Sequence, residues 1–465
     1  MSGTHAQTAR YVADTMLPEQ PAPDSSVGIV PWLRQNLFSS IGNTITTILA
    51  IVAIVYLVVT FAPWFLYGVW DAGSLRECRE ILQGTHAACF AVLDARFNQL
   101  MFGFYPESQL WRPILALALF VPAVVPVLGD GWVRKLWPLS LAYPVAAFYL
   151  LFGGTIGDVL AFLIGPAFGA VVFFALHRLT GGPLAALIAT VVTLLYWIGP
   201  VVFGTDLFGL LGSEFPVVLW PSFLSSGLYA DLIDGAVREA GYGRIGLSAV
   251  ASSRMGGVLL AMLLGTAGIV LSFPIGILLA LGRQSDMPIV KMICVGFIEF
   301  FRGVPLITLL FVASVLLNYF LPPGVYFDKL LRVVILVVIF ASAYMAEVIR
   351  GGLAAVPKGQ YEAAQAMGLP YWDSMRLIIL PQALKVAIPG IVSTFIGLFK
   401  DTTLVSIIGL YDILGIRTSI DSSPEWKGIF WELIFFAGAF FFICCFAMSR
   451  YSMYVERKLD TGHRN

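Results

Sequence analysis

Charge is what this chain has least of. Of its 465 residues only 12% are Asp, Glu, Lys or Arg, about half the share carried by a water-soluble domain. The 28 basic residues are matched by 28 acidic ones, so there is no basic field to hold a nucleic acid. Four histidines and five cysteines are scattered along the chain without metal-ligand spacing, and no metal site is expected. No Gly-x-x-x-x-Gly-Lys-Ser/Thr loop occurs, so this chain should not hydrolyse ATP alone. A segment of enzyme size and polarity is also missing, as is a catalytic constellation near a span end. The first forty residues have no apolar core before a cleavage site. They read as a short cytoplasmic tail rather than a signal peptide.

What is present is apolar. The chain is 58% hydrophobic, with 35 Phe and 11 Trp and a mean hydropathy of +0.86. The expected class is an all-α polytopic membrane protein. Runs near the twenty residues needed to cross a bilayer lie at Ile41–Tyr67, Pro113–Leu128, Trp137–Phe152, Val159–Leu176 and Leu184–Phe203. A second set lies at Val258–Leu281, Met292–Leu321, Val333–Val348, Ala387–Leu410 and Ile429–Met448. About ten spans put both termini on one side. Placing that side in the cytoplasm puts fifteen of the 28 Lys and Arg inside and eleven outside, with Arg302 and Lys400 within spans. Seven of the outside eleven sit on long loops, which carry less weight than short turns. The resulting organisation is a tail (1–40), a first transmembrane region (41–203) with an external loop (68–112), and an external connecting segment (204–257). A second bundle (258–450) with an internal loop (351–386) and a tail (451–465) complete it. Cys78 and Cys89 share the external loop, where an oxidising compartment would allow them to pair or leave them free. Cys294, Cys444 and Cys445 read as small hydrophobes inside spans.

The internal loop carries the most informative residues, EAAQAMGLPYWDSMRLIILP from Glu362 to Pro381. Tyr361–Met367 is rich in helix formers, Gly368 offers a left-handed stop, and Pro370 prevents continuation. Asp373 is placed to cap a second short helix through Leu380, ahead of Pro381. Helices this short do not persist alone in water, so a partner surface is expected, approached through the small face of Ala363, Ala364 and Ala366. The bland alternative is an ordinary amphipathic loop.

Glu362, Ala363, Ala364, Gly368, Ile378, Leu380 and Pro381 resemble, in identity and spacing, the EAA loop of ABC importer permeases. GIVLSFPIGILLALGR, EFFRGVPLITLLF, AYMAEVIRGGLAAVPKGQYEAAQAMGL and LPQALKVAIPGIVSTFIGLFKDTTLVSIIGL are similar to the polar-amino-acid branch of those permeases. RQNLFSSIGNT and AACFAVLDARFNQLMFGFYPE are similar to a longer subgroup: the broad L-amino-acid and the glutamate/glutamine/aspartate/asparagine permeases of Gram-negative bacteria. The resemblance implies a type I importer core of five helices at the C-terminal end, in a bacterial inner membrane. It implies that Glu362, Ala363, Ala364, Gly368, Leu380 and Pro381 dock into a separate ATPase dimer, which holds ATP and magnesium while this chain holds no cofactor. It further implies a homologous second permease, a periplasmic amino-acid-binding protein and an L-amino-acid substrate, polar or acidic.

Ionisable residues inside spans are functional candidates by default. Lys400, Asp401 and Thr402 lie in the fourth core span, where the adjacent charges are suited to the carboxylate and ammonium of an amino acid. A structural ion pair or a subunit contact is the alternative. Glu299 and Arg302 precede a break at Gly303 and Pro305, and their spacing also allows them to bridge each other. Glu347 and Arg350 form a similar pair suited to supporting the loop. An ion-driven secondary transporter is the competing function. Such proteins show matching broken helices in two halves, and the Arg302–Pro305 break has no clear counterpart in residues 41–203.

Overall fold

A computed structural model describes residues 28–129, 131–155, 167–177, 185, 188–193, 246–319 and 328–459. Among them the regular structure is helical, apart from the two-residue strands Gly154–Thr155 and Gly246–Leu247, which pair antiparallel. Chain contacts divide the molecule into two units, Met1–Val69 with Ile81–Ala88, and Trp70–Glu80 with Cys89–Asn465.

The first unit holds helix Ile29–Asn36 and helix Ile41–Leu66. The longer one starts at Ser40, whose hydroxyl accepts the Asn43 N–H at 3.2 Å, an N-cap bond. Its faces are apolar all round and none of its residues is buried in the chain. That is the signature of a helix solvated by lipid.

The second unit begins with a platform of short helices: Leu75–Leu82 as far as Glu80, then Ala91–Ala95 and Phe97–Phe102. The sequence leaves the state of Cys78 and Cys89 open. Here they are joined in a disulfide and are almost wholly buried. The Cys89 N–H donates to the Glu432 carboxylate at 2.8 Å, and Leu75 N–H donates to the Glu425 carbonyl at 2.8 Å. Arg96 pairs with Glu425 at 3.2 Å. Gly103, at φ +71°, approaches Gly256 so closely that a Cβ there would lie 2.5 Å from the Gly256 backbone. Much of the expected external loop is therefore a folded cap on the N-terminal ends of later helices. Beside it, Asp412 accepts the Gly415 N–H at 2.9 Å as the N-cap of helix Ile413–Asp421, and burial pushes its carboxyl up to about 6. Helices Trp111–Leu128 and Trp137–Phe152 pair antiparallel despite Pro122, Pro126 and Pro144. Buried Arg112 ties the two helices of this hairpin together by donating to the Leu150 carbonyl, and links them to the segment before the core by donating to the Ser248 carbonyl.

The core follows. Its first helix is Gly257–Arg283, its third Lys329–Ala355, its fourth Leu380–Asp401 and its fifth Trp431–Leu459. The second span, expected as one run from Met292 to Leu321, is broken: Pro288–Gly303 and Leu306–Leu316 meet at 99°. Pro305 supplies no backbone donor, which is why the turn falls there. The third helix packs on the first and fourth through small residues. Gly276 leaves room for Met345, and Gly352 for the Ala383 backbone, as close helix packing in lipid requires. One apolar cluster gathers Leu260, Leu310, Val333, Val337, Leu398 and Val405; another gathers Ala280, Ile298, Met345, Ile349, Leu353 and Ile379.

Among the described residues seven helices are long and apolar enough to cross a membrane, or eight with the bent pair as one span. Of the ten runs expected, the described part of Val159–Leu176 lies in helix Ala167–His177, and most of Leu184–Phe203 lies outside the described residues. The core reaches further than 258–450, from Gly257 to Leu459. The internal loop is shorter than 351–386, because the flanking helices continue to Ala355 and start again at Leu380.

Candidate functional site

Three groups of residues fall within the second unit. The first is the loop. Val356 is extended and Pro357 opens helix Lys358–Ala366. Its end is a Schellman motif: Gly368 at φ +71° donates its N–H to the Gln365 carbonyl at 2.9 Å, and Leu369 donates to Ala364 at 3.2 Å. Asp373 does not cap the next helix. Pro370 occupies that position without a side-chain bond, and Asp373 lies in the first turn of Tyr371–Ser374. Nor does Pro381 start a separate segment. A π-turn at Met375–Ile379 runs directly into Leu380–Asp401, and this wider turn lets the chain pass a residue that has no N–H to give. The alanine face divides: Ala364 is buried against the core, whereas Glu362, Ala363 and Ala366 face outward. Tyr361 reaches back to the Leu353 carbonyl at 3.3 Å, and burial raises its phenol above the usual range. Gln382 donates to Gln360 at 3.1 Å, fixing the loop helix to the fourth core helix. Met367, Tyr371 and Trp372, on the same loop as exposed Glu362, are 70%, 50% and 47% exposed.

The second group is an ion network at the same end of the core. Glu299 does not bridge Arg302. It accepts from Arg283 at 2.8 Å, and Arg302 turns to Glu347 at 3.7 Å and stacks over Tyr344 at 5.8 Å. Glu347 is the hub, taking Arg350 through Nε at 3.0 Å and Arg283 at 3.4 Å. The i, i+3 reading holds for Glu347 and Arg350 alone. Arg283 escaped the sequence reading because only the packing of the first helix against the third brings it in. Its one signal was its place at the end of an apolar run.

The third group is a break in the fourth span. Leu380–Asp401 tightens at Thr402 into a 3₁₀ turn through Ile408, closed by Gly409 at φ +76°. The tightening disturbs the ladder of carbonyls, and three hydroxyls bond to carbonyls there: Thr402 to Phe399 at 2.7 Å, Thr403 to Lys400 at 2.9 Å, Ser406 to Thr403 at 2.8 Å. Lys400 is exposed on the chain, Asp401 is half-buried and Thr402 is buried. Among the described residues neither Lys400 nor Asp401 forms a side-chain hydrogen bond or a contact ion pair. The two charges are neighbours in sequence but do not form a structural bridge.

Residues 272–461 match the family of binding-protein-dependent transport system inner membrane components. Across 98% of this chain and 99% of the relative, the sequence is 51% identical to the glutamate/glutamine/aspartate/asparagine transport system permease protein BztC of Rhodobacter capsulatus. The chain belongs to the amino-acid ABC transporter permeases. The permease is also 36% identical to the inner membrane amino-acid ABC transporter permease protein YhdY of Escherichia coli, over 96% of this chain and 97% of that one. A crystal structure of an amino acid ABC transporter with histidines matches 43% of this chain and 91% of its own, at 29% identity and a TM-score of 0.39. The permease is thus a multi-pass inner-membrane subunit of an amino-acid importer, and the ion-driven alternative is set aside.

The network of the permease yields a ranked expectation. Glu347→Gln removes the anion shared by three guanidinium groups and should lower stability by about 2 kcal/mol, between the values for surface and fully buried pairs. Glu299→Gln, at a side chain 54% exposed, should lower it by less than 1 kcal/mol. Thermal unfolding of the two purified variants checks the order; an equal or larger loss at Glu299 would remove Glu347 from the hub.

Proposed function

We propose that this permease moves glutamate, glutamine, aspartate and asparagine into the cell as one of two membrane subunits, driven by a separate ATPase. The substrate range is supported by the near full-length likeness to a permease bearing those four names. The mechanism rests on one observation, the exposed Lys400 beside half-buried Asp401 inside an apolar segment. An ammonium facing lipid at that depth costs several kcal/mol. It therefore faces water or protein, which is what a path between two permease subunits offers. Lys400 then meets the substrate carboxylate and Asp401 the ammonium, while buried Thr402 holds the turn that carries them. Glu299 and Arg302 support the bent second span through the ion network and do not touch substrate.

Glu362, Ala363, Gly368 and the exposed Met367, Tyr371 and Trp372 form the face that docks into the ATPase, with Ala364, Leu380 and Pro381 holding that face on the core. The ATPase dimer carries ATP and magnesium, and this chain binds no cofactor. A homologous permease completes the path, and a periplasmic binding protein delivers the amino acid. In that arrangement residues 351–386 and both termini are cytoplasmic, and 68–112 and 204–257 are periplasmic. The buried disulfide supports this side for the cap.

Two measurements test the reading. In proteoliposomes holding the permease pair, ATPase and binding protein, glutamate uptake should require ATP and survive collapse of ion gradients. Uptake without ATP that ionophores abolish would overturn it. A cysteine introduced at Gly359 should resist impermeant thiol reagents in intact cells; labelling from outside would invert the topology.

A further inference from the structure

The first turn of the third core helix carries three charged residues that the transport mechanism above does not use. Asp328 is its N-cap, accepting the Leu331 N–H at 3.1 Å and the Ser252 hydroxyl. Lys329 donates its ammonium to the Ile408 carbonyl at 2.8 Å. Arg332, 5% exposed, donates Nη1 to the carbonyls of Ala313 at 2.8 Å and Ser314 at 3.2 Å. Among the described residues neither cation has a contact carboxylate partner. Desolvating a cation is costly, and here both are directed at backbone oxygens.

Those oxygens belong to the two broken membrane segments. Ala313 and Ser314 lie in the π-turn Val312–Leu316 of the bent second span. Ile408 ends the 3₁₀ turn that begins at Thr402, and Gly409 reverses the chain just after it. The last carbonyls of such a turn have no donor of their own, and a cation there also complements the partial negative charge of the helix end. We infer that Lys329 and Arg332 are positioning residues for substrate: together they hold the 3₁₀ turn that carries Thr402, and with it Lys400 and Asp401, in register with the bent second span. This rests on the assignment of Lys400 and Asp401 to the path. The turn is then fixed at both ends, by the Thr402 hydroxyl on Phe399 and by Lys329 on Ile408. Lys329 and Arg332 are three residues apart on one helix face, so one turn of the third helix holds both breaks.

The experiment uses the reconstituted complex of permease pair, ATPase and binding protein, with glutamate, glutamine, aspartate and asparagine each tested singly. Lys329→Met should raise KM for uptake about tenfold, the size of one lost charge-assisted bond, with ATPase turnover in the absence of binding protein unchanged. Lys329→Arg, which keeps a donor within reach, should restore KM to within about twofold. Arg332→Met should shift KM in the same direction. Asp401→Asn is measured in parallel: if it leaves uptake intact, the path assignment itself fails. If Asp401→Asn abolishes uptake while Lys329→Met leaves KM unchanged, the positioning role is overturned. A fall in kcat and thermal stability at constant KM in Lys329→Met overturns it equally, since that is what a purely structural bond would give.

Discussion

Gly368→Val should abolish ATP-driven uptake and leave the permease in the membrane. Gly368 sits at φ +71° with no atom within 4 Å of where a Cβ would stand. The substitution therefore meets no steric obstacle from its neighbours, and its effect is confined to the backbone. A non-glycine residue in this region costs about 1–2 kcal/mol, and a β-branched one is a poorer fit still. The helix it terminates, Lys358–Ala366, has nine residues and little stability of its own. The Schellman bonds from Gly368 and Leu369 are lost together, and the outward group of Glu362, Met367, Tyr371 and Trp372 loses its alignment. Asparagine tolerates the left-handed region, so Gly368→Asn should retain much of the activity. Glu362→Lys tests the same face by charge rather than shape, because its exposed side chain forms no bond among the described residues. Both Gly368→Val and Glu362→Lys should insert at normal levels and uncouple uptake from ATP hydrolysis. Normal uptake in the two variants would remove this loop from the coupling role.

The loop was legible because its determinants are local. A glycine six residues after Glu362, and a proline two residues later, write a helix stop into the chain itself. Its continuation was misread because Pro381 looks like a boundary. A π-turn that carries the helix past a proline leaves no distinct residue pattern, and Asp373 resembles a cap wherever it falls near a helix start. The apolar helices Ile41–Leu66, Gly257–Arg283 and Trp431–Leu459 were found by hydropathy alone, to within a few residues at the starts and up to eleven at the ends. The bend at Pro305 was signalled, but not its 99°, which depends on what packs on either side. Glu299 shows the limit most clearly. Three residues from Arg302 on one helix, it has an available local partner, yet it bonds Arg283 across an interhelical contact. Interhelical choices of that kind are set by tertiary packing, and no spacing rule along one helix contains them. The choice between a Cys78–Cys89 disulfide and free thiols stayed open for the same reason, and the folded cap was not foreseen, since the two cysteines are brought together by a chain path that also buries Glu432.

Asp401→Asn should lower uptake at least tenfold and leave the complex folded. Two readings of the Lys400–Asp401 pair entered with the sequence, and they differ in what the substitution does to stability. Were the two charges a structural bridge, removing the carboxylate would strand an ammonium and destabilise the complex by several kcal/mol. No such bridge is formed: Lys400 is exposed on the chain and Asp401 has no hydrogen-bond partner among the described residues. Asparagine keeps the shape of the side chain and removes one charge that the helix ladder does not use. Little stability is therefore at stake, and Tm should move by no more than about 2 °C, the equivalent of roughly 1 kcal/mol or less in a protein of this size. On the proposed path the substrate, by contrast, would lose the carboxylate that meets its ammonium, and charge-assisted bonds of this kind are worth about 1.5–3 kcal/mol, a factor of ten or more in affinity. Lys400→Met should act on the other end of the same amino acid, with a loss of similar size. Substrate-stimulated ATPase activity and thermal unfolding, measured on one preparation of each variant, separate the readings. Unchanged stimulation with a large loss of Tm would return Asp401 to the scaffold and move the substrate site elsewhere in the path.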